Sequence, residues 1–441
     1  RQGSEATFCG RMKLNLEKTN FLRIAPHNIS AVFLLAILWQ SSASGLDEAT
    51  ISKFWPEKPV WKNTHDDYVL PAIEPALTIF VDFQGIGGQP SDENPGTKEK
   101  PFKTLRAALI RLRHWTNAPR YIMLRGGTYR MDGIIFNAGI AQRSRHKDRP
   151  FVVSSYKNER AVLTSAVPLK GWKKLDGTNV YYHNLPRRSF HTYSTLYVND
   201  RIVPSIREHL FSEKGLKEYS VRSTKPVDAA TFVTAPGTWA KKRERIYLRA
   251  PGDSDPNSLR VEISAFRRGM KAALAINSYN LVFNRLIFEK NTVAVVVTGE
   301  RVAFRRCIFS LNEIALDFGA LGSMGETIDK NSVDQCLFVR NGSPLGGALR
   351  FHGPITLRDS IFRLNFPGSP AVESPPLAHT NATNVHILGN TFVHNGLCIR
   401  SAANRTTITG NVAKCMKFMV NTGKGGREEN NKISVRKCPE N

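Results

Sequence analysis

Between residues 281 and 412 the apolar positions follow one short template: an apolar pair, then Phe-x-x-Asn, then a second alternating run. The copies are Phe288-x-x-Asn291, Phe309-x-x-Asn312, Phe338-x-x-Asn341, Phe362-x-x-Asn365 and Phe392-x-x-Asn395, spaced 21, 29, 24 and 30 residues apart. Five residues before each Phe stand Phe283, Phe304, Val333, Leu357 and Ile387, and two before it stand Leu286, Cys307, Cys336, Ser360 and Asn390. After each Asn the apolar residue is Val295, Leu316, Leu349, Val372 or Ile399, followed by Val296, Asp317, Arg350, Glu373 or Arg400. A period of two is that of a strand with one packed and one outward side. Irregular periods of this length mark a solenoid with loop insertions, in which each unit buries its apolar face by stacking on the next.

No helix-patterned run of ten to fifteen residues separates the copies, which argues against a βαβ barrel or a doubly wound sheet. The expected class is all-β: a right-handed parallel β-helix with an N-terminal capping helix and an inserted β-rich module. The Asn of each copy suits a tight corner between sheets, because Asn tolerates the left-handed conformation and its amide can hydrogen-bond along a stack. Small residues before each apolar one, Ala294, Ala315, Ala348, Ala371 and Cys398, are expected to face outward as a shallow floor.

Upstream, residues 78 to 171 hold a strand at Ile79-Phe-Val-Asp82, a Gly/Pro/Asp loop, and a stretch at 101–113 with Phe102, Leu105, Leu109 and Leu112 on one helical stripe. That helix would cover the open apolar end of the solenoid. Short β-rich runs at Ile134–Phe136, Phe151–Ser154 and Ala161–Thr164 read as the first coils. Residues 172 to 262 break the pattern, with strand-like runs at Tyr181-Tyr182, Leu196–Asn199, Thr231–Val233 and Ile246–Arg249, and read as an inserted antiparallel module. Arg187, Arg188, His191, Tyr193, Arg207 and His209 lie there; they suit a solvated rim, or a grip on a sugar chain by stacking and charge. Residues 263 to 441 carry the remaining coils.

Asp92-Glu-Asn-Pro-Gly-Thr-Lys-Glu-Lys-Pro-Phe-Lys-Thr-Leu-Arg-Ala-Ala-Leu109 followed by Tyr121-Ile-Met-Leu-Arg-Gly-Gly-Thr-Tyr129 resembles the opening of secreted right-handed parallel β-helix proteins. Gly171-Trp172 and Leu196-Tyr-Val-Asn-Asp-Arg201 with Arg207 are similar to segments that follow in many members. That group includes polysaccharide lyases and glycoside hydrolases. The resemblance implies the fold, of the pectin-lyase-like kind, over roughly residues 79 to 415 and leaves the reaction open, because one fold hosts many chemistries.

The N-terminal 44 residues read as a targeting segment: Lys13, Lys18 and Arg23 after Met12, the apolar run Ala31–Trp39, then Ser41-Ser-Ala-Ser-Gly45. The apolar run is too short to span a bilayer, so the reading is a cleaved signal, with an uncleaved anchor as the weaker alternative. Residues 45 to 77, with Trp55 and Trp61 among several prolines, form an irregular lead-in. Export predicts a secreted or periplasmic protein, monomeric and without stable membrane insertion. Six cysteines are few for such a chain. Cys307 and Cys336 are expected as an inert inward stack, whereas Cys398, Cys415 and Cys438 offer one disulfide near the end.

Net charge is +25, with only 37 acidic residues, which suits an anionic partner or, equally, a generally solvated basic surface. Nucleic acid is disfavoured, since no recognition motif appears and the basic residues are spread along the chain. An acidic polysaccharide suits an exported protein better.

Candidate chemistry sits on the outward positions of the post-Asn strands. Strands lie about 4.8 Å apart, so Asp317 and Glu373, with Arg350 between them, stand roughly 9–10 Å from each other. That separation suits inverting glycoside hydrolysis, with His352 two residues beyond Arg350 as a proton donor. In β-elimination of a uronate, Arg350 or Arg400 would neutralise the sugar carboxylate and His352 would act as base. Calcium, held by Asp317 and Glu373, is an alternative to the arginine; no other metal or cofactor is expected. Arg400 and Arg207 are the candidate substrate-binding residues. The same charges also make a salt-bridge ladder that only sets register. Two function classes result: an enzyme acting on an anionic polysaccharide as lyase or hydrolase, or a non-catalytic glycan-binding or envelope-associated β-helix.

Overall fold

A computed structural model describes residues 77–112, 121–137, 150–157, 159–185, 191–203, 236–242, 244–267, 270, 272–319, 331–342, 347–365, 370–374, 385–401, 405–421 and 427–434. The targeting segment, Trp55, Trp61, Arg187, Arg188, Arg207, His209, Thr231–Val233 and Cys438 lie outside the described residues.

The chain is a parallel β-helix. Its first sheet has ten described strands, in the order Thr78–Val81, Tyr121–Leu124, Phe151–Ser155, Leu281–Asn284, Val302–Arg305, Asn331–Asp334, Ile355–Arg358, Val385–Leu388, Thr406–Thr409 and Arg427–Glu429. The second sheet runs from Gly127–Arg130 through Ala161–Thr164, Ile287–Glu289, Ile308–Ser310, Leu337–Val339 and Ile361–Arg363 to Thr391–Ser401. That long strand turns the corner into the third sheet, which returns through Pro370–Ser374, Leu349–Phe351, Ile314–Phe318, Val293–Val297 and Leu274–Asn277 to Ile134–Asn137. Each coil therefore contributes one strand to each of three faces.

The repeat register explains the core. Phe288, Phe309, Phe338, Phe362 and Phe392 pair in register and stack with ring centroids 5.0, 4.8, 4.5 and 5.0 Å apart. Phe283, Phe304, Val333, Leu357 and Ile387 form the facing row of the first sheet, and all join one buried core. Parallel pairing brings like onto like, so one favourable residue repeated in sequence becomes a column in space.

Beside the Phe column runs an amide column. Asn291 Nδ2 donates to Asn312 Oδ1 at 2.9 Å, Asn312 to Asn341 at 2.9 Å, Asn341 to Asn365 at 3.3 Å and Asn365 to Asn395 at 3.0 Å. Each of these Asn is buried. The left-handed residue of the corner is the one before the Asn, not the Asn itself: Lys290, Leu311, Arg340, Leu364 and His394 all have φ between 53° and 56°. Such non-glycine conformations cost about 1–3 kcal/mol each and persist where the surroundings over-determine them. Here the backbone N–H of Lys290, Leu311, Arg340 and Leu364 still donates to the next coil, and the adjacent Asn locks the turn.

The alanine row differs from expectation. Ala294, Ala315, Ala348, Ala371 and Cys398 are fully buried in the core, so they make no outward floor. They stand just past the Asn corner and next to an inward apolar residue, so two consecutive side chains are buried there and the alternation of inward and outward residues begins only after them. Cys307 and Cys336 are buried free thiols in adjacent coils. Burial pushes the Cys336 thiol pKa well up, which keeps it protonated and inert. Cys398 is disulfide-bonded, to a partner outside the described side chains.

The one α-helix among the described residues, α1 (Leu105–Leu112), buries Leu105, Ala108, Leu109 and Leu112 in the same core as Ile79 and Ile122, closing the N-terminal end. No helix among the described residues is long and apolar enough to cross a membrane.

Between the second and third sheets of an early coil, the chain leaves the solenoid. The described strands between Ala166 and Arg267 form two four-stranded antiparallel sheets. Trp172, Trp239, Leu196, Ile246, Leu248 and Ile263 share a separate core, and Trp239 Nε1 donates to Val203 O at 3.0 Å to join the two sheets. The turn Asn199-Asp200 has φ of 46° and 58°, the doubly left-handed geometry that matches the twist of a tight hairpin.

Candidate functional site

The third sheet presents its alternate residues outward. In the strand Ile314–Phe318, Leu316 and Phe318 are buried, which turns Asp317 out. Asp317 pairs in register with Arg350, Arg350 with Glu373, and Glu373 with Arg400. Val372 pairs with Leu349 and Ile399 and is buried, so the segment before it introduces no slip. Toward the N-terminus the same row continues as Val296, Ala275 and Ile135, all uncharged. Charge thus begins abruptly at Asp317.

Asp317 lies between a cation and an imidazole. Its Oδ2 is 3.7 Å from Arg350 Nη1, and its Oδ1 is 3.6 Å from His352 Nε2. His352 N–H donates to Phe318 O at 3.0 Å, which fixes the strand end and keeps His352 on the same face as Arg350. The His352 side chain is 7% exposed and that of Asp317 17%, whereas Arg350 reaches 24%. His352 is therefore the floor of this group, Asp317 its middle and Arg350 its accessible edge. Arg400 is exposed further along the row. Glu373 is placed by its backbone pairing, and its side chain lies outside the described ones.

Arg350 differs from the structural arginines of the molecule. Arg358 Nε meets Asp334 Oδ1 at 2.5 Å, and Arg125 Nε lies 3.0 and 2.8 Å from the two carboxylate oxygens of Glu159. Those pairs are within hydrogen-bond distance. Among the described residues Arg350 has its 3.7 Å approach to Asp317, beyond hydrogen-bond reach, and its buried Nε has no hydrogen-bond partner there. The Nε is shut off from solvent, so the donor capacity for an added carboxylate rests with the Nη end of the side chain, 3.7 Å from Asp317.

The inserted module flanks this face. Lys290 is 7% exposed and lies 2.5 Å from both Asp200 Oδ1 and Glu262 Oε2 of the module, with Arg260 paired to the same two acids. Thr195 and Thr292 share a hydroxyl hydrogen bond of 2.8 Å, and Ser264 Oγ accepts from Thr292 N at 3.1 Å. Tyr197 of the module packs on Leu311, and burial beside the Glu313 carboxylate pushes its phenol well up. The module therefore grips the corner from which the third-sheet strands start. Sequence reading misses this clamp, because Lys290 looks like any corner residue. It also misses the first-sheet trio Arg305, Asp334 and Arg358, whose signal is the outward position after Phe304, Val333 and Leu357.

Among the described residues no group of three or more His, Cys, Asp or Glu is placed to hold a metal ion. Asp317 and Glu373, the proposed calcium ligands, are separated in register by the cationic Arg350, a poor setting for a divalent ion.

No protein-family model matches the chain, and no curated protein matches it. Four solved chains match. One is described as a glycoside hydrolase, at 13% identity and a TM-score of 0.49, covering 81% of this chain and 97% of that one. Another is described as the complex structure of XylC with xylose, at 14% identity and a TM-score of 0.48, covering 80% of this chain and 70% of that one.

Proposed function

We propose that the protein is an exported enzyme that binds an anionic polysaccharide across the outer face of its third sheet and cleaves it by β-elimination. The observation that carries this reading is the unsaturated guanidinium of Arg350 at the accessible edge of the Asp317–His352 pair. Arg350 would take the uronate carboxylate, and neutralising that charge acidifies the adjacent C–H. Asp317, more accessible than His352 and 3.6 Å from its Nε2, would accept the C5 proton as the C4–C5 double bond forms and the C4–O glycosidic bond breaks, the departing oxygen taking a proton from water. This moves the role of base to Asp317 from His352, where sequence reading puts it. Arg400, exposed in the same row, would extend the contact along the polymer, and the net charge of +25 would draw it in. The Cys398 disulfide supports an oxidising compartment.

Inverting hydrolysis is the second reading, favoured by the register. Asp317 and Glu373 stand two strand spacings apart, roughly 9–10 Å, near the upper end of the range that admits a water between two carboxyls. The two reactions leave different products. Elimination yields a C4–C5 unsaturated sugar with ultraviolet absorbance, and hydrolysis yields reducing ends without it.

A panel of polyuronates assayed for both products decides between them. Arg350→Ala is expected to lower turnover on the responsive polymer about ten- to hundredfold, the loss of a charge-assisted contact. Its cost in stability should be only about 1 kcal/mol. Unchanged turnover would remove the third-sheet row from the mechanism. Binding of acidic polymer with neither product would establish the non-catalytic glycan-binding class instead.

A further inference from the structure

A cavity of about 460 Å³ opens at the N-terminal end of the solenoid, between the start of α1, the first coil and the inserted module. Its size falls within the roughly 300–1,000 Å³ of ligand pockets. Phe83 lines it with a ring that is 40% exposed, unusual for so large an apolar side chain, and tilted against Tyr129 at 6.3 Å between centroids. Three cations, Lys103, Arg106 and Arg130, face two carboxylates, Asp92 and Asp132. Both acids are already engaged: Asp92 accepts from Thr104 N at 2.7 Å at the head of α1, and Asp132 holds Arg106 at 2.5 Å. Among the described residues Arg130 donates to a neutral group, the carbonyl of Ala166. Lys103, exposed, and Arg130 therefore leave an excess of positive charge beside an open aromatic face.

We infer that this cavity is a second, non-catalytic glycan site that takes a carboxylated sugar unit. The Phe83 ring would stack on the apolar face of the pyranose, and Lys103 with Arg130 would meet its carboxylate. The inference extends the proposed polysaccharide reading, yet the cavity shares no residue with the third-sheet row. A site there would hold one part of a chain while another part lies across the sheet, raising the effective concentration of polymer at the catalytic face.

The test uses trigalacturonate, trimannuronate and triglucuronate, with their methyl-esterified forms as uncharged controls, titrated calorimetrically into the Arg350→Ala protein. At least one acidic trimer is expected to bind, and adding Phe83→Ser with Lys103→Gln should weaken that binding tenfold or more. Mass-spectrometric acetylation of the unaltered protein supplies an independent measurement: the trimer should protect Lys103 and leave Lys100, exposed outside the cavity, reactive. Binding unaffected by the double substitution, no protection of Lys103, equal binding of the esters, or no binding by any trimer would each overturn the inference. Loss of turnover in Arg350→Ala with this binding retained separates the two sites; absence of turnover in the parent with Lys103 protected refutes the catalytic reading and leaves the cavity standing.

Discussion

The coils and the inserted module solve the same problem, covering apolar strands, by opposite means. In the coils every core residue meets its own equivalent one coil away, as Phe338 meets Phe309 and Phe362 at 4.8 and 4.5 Å. In the module the contacts are unique: Trp239 reaches Val203, Trp172 pairs its backbone with the Asn257 side chain, and Lys290 joins the two regions by charge. A stack tolerates variation in loop length, since only register matters, and its stability is close to a sum over neighbours. The module has no such redundancy. Each of its contacts is made once, and its attachment rests on the corner around Lys290 and Thr292.

Truncating the stack at its middle should give the largest effect. Phe338→Ala removes a fully buried ring with neighbours above and below, and urea unfolding should show a loss of about 3–5 kcal/mol. A loss under 1 kcal/mol would mean that the column closes over the gap and that neighbour coupling is weak.

Breaking the clamp should be next in size, and local. Lys290→Met leaves Asp200 and Glu262 with Arg260 as their described cationic partner. The expected cost is about 2–3 kcal/mol, below that of a fully buried pair because both acids keep some contact with water. Native-state hydrogen exchange should show strands His191–Val198 and Val261–Arg267 losing protection while Leu337–Val339 keeps it. Equal loss in both regions would show that module and coils unfold as one unit.

The smallest effect concerns pH at the same junction. Burial pushes the Glu289 carboxyl above its ordinary value, with Lys290 opposing and Glu262 reinforcing the shift. A carboxyl whose pKa is higher folded than unfolded binds more protons in the native state across the window between the two values. Its contribution is therefore fully present below the ordinary carboxylate range and lost as pH rises through the folded value. Glu289→Gln should raise the melting temperature at neutral pH, with the gain vanishing toward acid. A gain independent of pH would assign the effect to packing alone.

Much of the solenoid is legible in the chain. Counting from Phe to Asn to the next apolar residue is enough to align Asp317, Arg350, Glu373 and Arg400, because parallel coils place equal positions one above another. The capping stripe Leu105, Leu109 and Leu112 likewise follows from period alone. Details of the corner are less visible: pattern identifies the Asn but not that the left-handed residue precedes it, nor that Ala315 and Ala348 point into the core. Both depend on the exact bend of the backbone, which a two-residue alternation does not encode.

What the sequence by itself determined is the class of the fold, the register of its columns and the row on which charge gathers, since each arises from a repeat that is read within a few dozen residues. Only the tertiary structure decided that His352 lies beneath Asp317, that Arg350 keeps unspent donors, that Lys290 clamps the module, and that Phe83 opens onto a charged cavity. These depend on partners brought together once, such as Thr195 with Thr292, 97 residues apart, where no periodicity announces the meeting. Repetition makes a long-range contact look local, and unique contacts have no such trace in the chain.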